Sequence, residues 1–320
     1  MKTRTKAWLI VAASLVLIGG IMFGGVMAML KWDFTKLSTA KYETNIHELN
    51  ENYKNITITT DTADITFVPS SNDNSAVTCY EQKNLKHSVI VKDDTLIIEL
   101  VDTRKWYEHI GILGCTPKIT LAIPQGEYSA LSIKASTGDV EIPKEYLFAS
   151  MDISESTGDV TVSASARETI KIKTSTGGIC LESISASALN LSVTTGKVTI
   201  NNTACEGDIN IHVSTGKTNM TNIRCKNLIA EGNTGDLSLK QVVASEKFSI
   251  QRTTGDVKFD SCDAAEIFVK TETGDVRGYL LTDKIFYAET DTGKIDIPKT
   301  ATGGKCEIYT DTGDIKISIG

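Results

Sequence analysis

Residues Leu131–Ile142 read LSIKASTGDVEI. On both sides of the Thr137-Gly138 pair, apolar residues alternate with polar ones: Leu131 and Ile133 before it, Val140 and Ile142 after it. Period-two alternation marks a strand with one buried face, and the Val, Ile and Thr content suits strands. The same phrase returns along the chain. Thr-Gly recurs at Gly138, Gly158, Gly177, Gly196, Gly216, Gly235, Gly255, Gly274, Gly293 and Gly313, ten copies spaced by 19 or 20 residues. Positions seven and five before the glycine are repeatedly apolar (Ile170 and Ile172, Leu189 and Leu191, Ile209 and Ile211), as are those two and four after it (Val160 and Val162, Val257 and Phe259). A fixed period of this size is the mark of a repeat architecture.

Each glycine supplies the positive φ that the threonine before it would resist, which fits the third place of a type II turn. A tight hairpin would also keep every apolar position on one face. Hairpins of that size favour Asn-Gly or Asp-Gly, however, and the constant period points to coils stacked in parallel. The expected fold is therefore all-β: a β-solenoid, parallel β-helix-like, of ten to eleven coils. The segment ITITTDTADITF (Ile56–Phe67) is a degenerate copy with Ala63 in the glycine place, and reads as a capping first coil. Residues 68–130 break the period as an irregular insert, and 131–320 carry the regular repeats. In the insert, His87–Leu100 reads as two strands joined at Asp93-Asp94, and Trp106-Tyr107 reads as a cover for the open end.

Ahead of the repeats, Lys2, Arg4 and Lys6 precede 24 residues without a charge, Ala7–Leu30. That length spans a bilayer core of ~30 Å, and the basic flank holds the N-terminus (1–6) inside. The reading is an uncleaved transmembrane anchor over 7–30. A signal peptide cut near Val26-Met27-Ala28 is the rival, and both place the rest of the chain outside. Residues 31–55 are polar and read as a juxtamembrane stalk, with His47 and Glu48 solvated. The formal charge of −7 and the lack of a basic stripe exclude a nucleic-acid partner.

Stacked coils set equal positions in columns. The threonine column, Thr137 to Thr312, reads as a hydroxyl ladder that pins the turn. The position after glycine is Asp in most coils; Asp236, Asp256 and Asp275 form the longest acidic run, the one place for a cation such as Ca²⁺. Lys197, Lys217 and Lys294 interrupt that column, so a solvated turn with Asp accepting from backbone amides is the plainer reading. Seven cysteines leave at least one unpaired. Cys205 and Cys225 share one phase in neighbouring coils, within reach of a disulfide; Cys79 and Cys115 flank the insert and could staple it. No catalytic constellation and no cofactor motif is present. Arg252 and Arg277, near Asp256 and Asp275, read as surface ion pairs.

The run ITLAIPQGEYSALSIKASTGDVEI (Ile119–Ile142), with the anchor, the degenerate first coil and the ten STGDV-like copies, resembles a bacterial putative-adhesin family. It is a β-strand-repeat domain of unknown function that includes LiaG-like membrane proteins linked to cell-envelope stress. The resemblance covers most of residues 42–320. It implies a β-solenoid outside the membrane and carries over no catalytic residue. The expected function is non-catalytic: an anchored, surface-exposed protein that binds a cell-wall polymer or a membrane protein. A regulatory or sensory role in envelope stress, exerted through a membrane partner, is the first alternative; a polysaccharide-active enzyme, which would need clustered acids and a basic residue in a groove, is the second.

Overall fold

The computed structural model describes residues 3–33, 41–70, 74–104 and 116–320. Trp106, Tyr107 and Cys115, with the cover and the staple expected of them, lie outside the described residues. Two compact units are present: Met1–Glu43 with Gln82–Leu85 and Asp102–Cys115, and Thr44–Glu81 with Lys86–Val101 and Thr116–Gly320.

In the first unit, helix α1 runs Thr3–Met29. Its stretch Trp8–Met29, 22 residues, is long and apolar enough to cross a membrane. At ~1.5 Å per residue it reaches about 33 Å, close to the ~30 Å of a bilayer core.

The second unit is a β-solenoid built as the alternation requires. The first nine strands of the chain are β1 (Tyr42–Leu49), β2 (Asn55–Thr59), β3 (Asp64–Pro69), β4 (Ser75–Gln82), β5 (Leu85–Lys92), β6 (Thr95–Asp102), β7 (Lys118–Ile123), β8 (Gly126–Thr137) and β9 (Val140–Ile142). From β8 onward each coil has a strand ending at the threonine, a bend at the glycine and a second strand beginning two residues later. Successive coils pair in parallel and in register, so like stacks on like. Ile153 lies between Ile133 and Ile172, and Val160 between Val140 and Ile179. Every second residue faces inward and is buried, with Ile133, Ile153, Ile172 and Val198 fully excluded from solvent. This pairing decides between solenoid and hairpins.

The degenerate copy takes its predicted place. β2 lies between β8 (Ile56↔Leu131) and β6 (Ile56↔Leu96), and β3 between β9 (Ile65↔Val140) and β7 (Ile65↔Ile119). The 68–130 insert is more regular than expected, because β6 and β7 lay a further strand pair against the degenerate coil. β4 then runs antiparallel to β7 (Cys79↔Ile119) and also pairs with β1. Part of the expected stalk is therefore strand, since Tyr42–Leu49 alternates well enough to pair.

Three details depart from the expectation. The glycines have φ of 130–159°, far from the ~80° of a type II turn, so each corner is a one-residue bend in extended chain. A second corner stands six residues after the glycine, where Ser183, Asn202, Asn222, Gln241 and Ser261 all adopt positive φ near 50–60°. Asn tolerates this conformation best, and Asn222 Nδ2 donates to Asn202 Oδ1 at 2.9 Å along the column. Lastly, the final coils are out of sequence order. The strand Gly304–Thr312 pairs with Val257–Thr273 on one side and with Lys284–Thr292 on the other. The Gly313 coil is thus inserted between the Gly274 and Gly293 coils, and the Gly293 coil is outermost.

Candidate functional site

The turn column is occupied by its own hydrogen bonds. Each glycine N–H but that of the outermost Gly293 coil donates to the threonine carbonyl of the next coil, as Gly255 does to Thr273 O at 2.8 Å. Each aspartate takes the amide of the residue stacked on it. Asp236 Oδ1 accepts from Asp256 N at 3.3 Å, Asp256 Oδ1 from Asp275 N at 2.9 Å, and Asp275 Oδ1 from Asp314 N at 2.7 Å. The lysine interruption joins the same scheme, because Lys217 Nζ lies 3.0 Å from Asp236 Oδ2 and holds that carboxyl below its usual range. Asp236, Asp256 and Asp275 are thus stacked in one row, with one oxygen of each engaged by backbone.

The threonines before the glycines are exposed, and among the described residues their hydroxyls make no hydrogen bond. The pinning hydroxyls belong instead to inward threonines two residues earlier. Thr271 donates to Gly255 O at 3.3 Å, Thr290 to Gly313 O at 3.0 Å and Thr310 to Gly274 O at 3.1 Å. An inward hydroxyl faces the carbonyl of the neighbouring turn, whereas the outward one faces water.

Two charged residues stand in that inward row. Glu155, between Ala135 and Thr174, is buried with no partner for either oxygen. Burial pushes its carboxyl up to about 7; the backbone of Thr157 opposes the shift and the charge of Asp139 adds to it. Arg252, read from sequence as a surface ion-pair partner, turns inward instead. Its Nη2 donates to Thr218 Oγ1 at 3.3 Å, while Nε and Nη1 have no partner. The space it fills exists because its stacked neighbour is Gly232, where a Cβ would stand 2.0 Å from Nη1. Arg277 does form the expected surface pair with Asp275.

Cys205 and Cys225 lie in adjacent coils next to the paired residues Ala204 and Arg224. Both are buried and carry free thiols; burial pushes Cys225 up to about 12.

The outward face of the last coils gathers aromatic side chains. Phe268 and Tyr309 lie with ring centroids 6.1 Å apart, and Lys305 Nζ stands 5.6 Å above the ring of Tyr287. Lys305 is also bonded to Glu307 at 2.9 Å, and Glu307 accepts from Tyr309 Oη at 3.3 Å. Beside them an open cleft of about 390 Å³ is lined by Phe268, Lys270, Glu289, Asp291, Tyr309 and Asp311. The corresponding positions of earlier coils are mostly Ser, Asn, Lys and Asp, such as Ser132, Asp152, Lys171 and Asn190. The reversal of the last coils makes this cluster, since it sets Glu307 between Phe268 and Tyr287, and Tyr309 between Lys270 and Glu289.

The sequence reading also missed a polar cluster at the other end. Glu81 accepts from Asn45 Nδ2 at 2.7 Å, from the backbone N–H of His87 at 2.6 Å and, at 2.8 Å, from the His87 ring at Nδ1. Thr60 Oγ1 lies 2.9 Å from His87 Nε2. Cys79 is buried beside them, and burial with the charge of Glu81 pushes its thiol up to about 12, which disfavours a free nucleophilic thiolate at neutral pH. The signal available in sequence was the alternation itself, which puts Cys79 and Glu81 on the same inward face.

Among solved structures, similar chains include a putative adhesin from Parabacteroides distasonis, 12% identical, with 88% of this chain and 98% of that one covered and a TM-score of 0.41. Another is a putative adhesin from Bacteroides fragilis, 15% identical, with 87% and 97% covered and a TM-score of 0.38. A third, a putative adhesin from Parabacteroides merdae, is 11% identical, with 88% and 98% covered and a TM-score of 0.26. No curated protein matches. The profile of a β-repeat domain family matches residues 53–213 and 206–320, which together take in the degenerate coil, the insert and all ten glycine corners: the chain belongs to the Toastrack DUF4097 family.

Proposed function

We propose that this is a membrane-anchored, surface-exposed, non-catalytic binding protein, and that its ligand is an uncharged glycan of the cell envelope held on the aromatic face of the last coils. The observation that carries the reading is the group Phe268, Tyr287 and Tyr309 on an outward face whose equivalent positions in earlier coils are mostly polar, with Tyr287 54% exposed. Exposed aromatic clusters of this kind mark interaction sites, and a flat ring offers an apolar face to the C–H surface of a sugar while leaving its edge polar. The surrounding carboxylates, Glu289, Asp291, Glu307 and Asp311, outnumber Lys270 and Lys305, which favours a neutral polymer over a phosphate-rich one. The apolar helix and its basic flank, Lys2, Arg4 and Lys6, support an anchor with the solenoid outside.

Co-sedimentation of the detergent-solubilised chain with cell-wall sacculi tests this. Saturable binding should survive removal of teichoic acid and weaken at least tenfold in a Tyr287→Ala, Tyr309→Ala double variant. Binding lost with the teichoic acid, or unchanged in the double variant, would refute the proposed face. Binding to no wall preparation would refute the ligand class.

A further inference from the structure

We propose that Cys79, Glu81 and His87 form a transition-metal site, suited to Zn²⁺, in the strands at the N-terminal end of the solenoid. Among the described residues, this trio brings a sulfur, a carboxylate oxygen and an imidazole nitrogen within 4.8 Å of one another. All three side chains are buried, at 0%, 1% and 4% exposure. Three elements place them. β4 carries Cys79 and Glu81 two residues apart on its inward face, β5 brings His87 back after the turn that follows Gln82, and β1 lies against β4 and supplies Asn45.

The donor set matches borderline-soft metals, which take thiolate, imidazole and carboxylate together. It is also balanced in charge. A divalent ion with one thiolate, one carboxylate and a neutral imidazole has no net charge, and so suits an enclosed site. Binding displaces the thiol proton of Cys79 to solvent and involves no redox change.

The spacing is close to what the ion needs. Two ligands each ~2.0–2.1 Å from a tetrahedral centre lie about 3.3 Å apart, and the Glu81–His87 contact is 2.8 Å. A separation of about half an ångström admits the ion, with its bond to His87 Nδ1 replacing the present contact with Glu81. The outer contacts that orient such ligands are in place. Thr60 Oγ1 sits on His87 Nε2, where it fixes the ring, and Asn45 Nδ2 holds the other oxygen of Glu81. His47 shares the inward face of β1 with Asn45, and its Nε2 is buried without a hydrogen-bond partner. Cys79, Glu81 and His87 supply three positions, and a water or a further side chain takes the fourth.

Cobalt titration of the chelator-stripped, detergent-solubilised full chain tests the site. One Co²⁺ per chain should bind, with a thiolate-to-cobalt charge-transfer band and the visible bands of a tetrahedral ion, and Zn²⁺ should displace it. Cys79→Ser should abolish the charge-transfer band, and His87→Gln should weaken binding at least tenfold. Cys225→Ser, a buried thiol elsewhere in the solenoid, should leave both unchanged. Zn²⁺ should also raise the Tm of the wild-type chain and leave that of His87→Gln unmoved. Failure of the wild-type chain to bind Co²⁺ stoichiometrically overturns the proposal, whether or not the variants fold. So does a charge-transfer band that survives Cys79→Ser.

Discussion

Raising the pH from 5 to 8 should destabilise this solenoid through one residue, Glu155. Its carboxyl occupies the inward row beside each glycine corner, where the stacked neighbours are Ala135 and Thr174 and neither oxygen has a hydrogen-bond partner. In the unfolded chain the group titrates near 4.5, and in the folded chain near 7. The sign follows from linkage. A carboxyl whose folded pKa is raised binds more protons folded than unfolded between the two values, so stability falls as pH rises. The penalty is absent below about 4.5, grows across the window and is complete above about 7. At ~1.36 kcal/mol per pKa unit the full effect is roughly 3 kcal/mol. The residue is 4% exposed, so solvent screening removes little of this. Urea unfolding of the solubilised chain at steps between pH 4.5 and 8 measures the dependence. Glu155→Thr puts in the residue found at the same place in the next coil. It should remove the slope from this window and leave the variant more stable at pH 8 by about the same amount, while the two chains agree more closely near pH 4.5. Parallel pH profiles for wild type and Glu155→Thr would refute the reasoning.

Other perturbations have equally direct readouts. Gly255→Val puts a Cβ 2.2 Å from the carbonyl of Gly235 at a φ of 145°, so it should cost about 3 kcal/mol or more in urea unfolding. Asp256→Ala removes only the acceptor for the Asp275 amide; a loss of about 1 kcal/mol is expected, read as a small fall in Tm that added Ca²⁺ does not alter. Arg252→Thr replaces a buried guanidinium with two unpartnered nitrogens by the residue common in its row, and should raise stability by about 1–2 kcal/mol. Gly232→Ala, with the arginine retained, should lower the urea midpoint, because the new methyl takes the place of Nη1.

What the sequence made legible was whatever repeats. The coil period, the inward rows and the glycine corners follow from residues that return every 19 or 20 positions, because in-register parallel stacking asks the same thing of every coil. The second corner was less visible: positive φ there is satisfied by Ser183, Asn202, Gln241 or Ser261 alike, so no single residue type marks it. The hydroxyl ladder was assigned to the wrong threonine because Thr137 and its equivalents are invariant, whereas the inward position alternates among Thr271, Val213, Arg252 and Glu155. Invariance there reflects a place on an exposed strand end; the bond that pins the turn needs only a hydroxyl facing the next carbonyl. The Cys79–Glu81–His87 cluster lies in the insert, where no period exists to reveal which strands meet.

The reversal of the last two coils ties architecture to the proposed ligand face. In a solenoid, the outermost coil exposes one side of its inward row and a line of unpaired backbone groups, which invites edge-to-edge association. The Gly313 coil has Ile308, Ile315 and Ile317 facing inward, and insertion buries all three. The Gly293 coil left outside has Phe286, Ala288, Thr290, Ile295 and Ile297 in the same row, with Ile295 44% exposed. Its strand also carries Glu289 and Asp291, and Lys294 follows at the corner, charges of the kind that discourage pairing with another edge. The observed order therefore leaves Glu289, Asp291 and Lys294 on the open edge. The same exchange puts Glu307 and Tyr309 between Phe268 and Tyr287, where Glu307 fixes both Lys305 and the Tyr309 hydroxyl. In sequential order Phe268 and Tyr287 would be stacked neighbours, with no polar group between the rings. The arrangement that caps the open end thus also spaces the aromatic rings and gives them polar edges, as a surface for sugars requires.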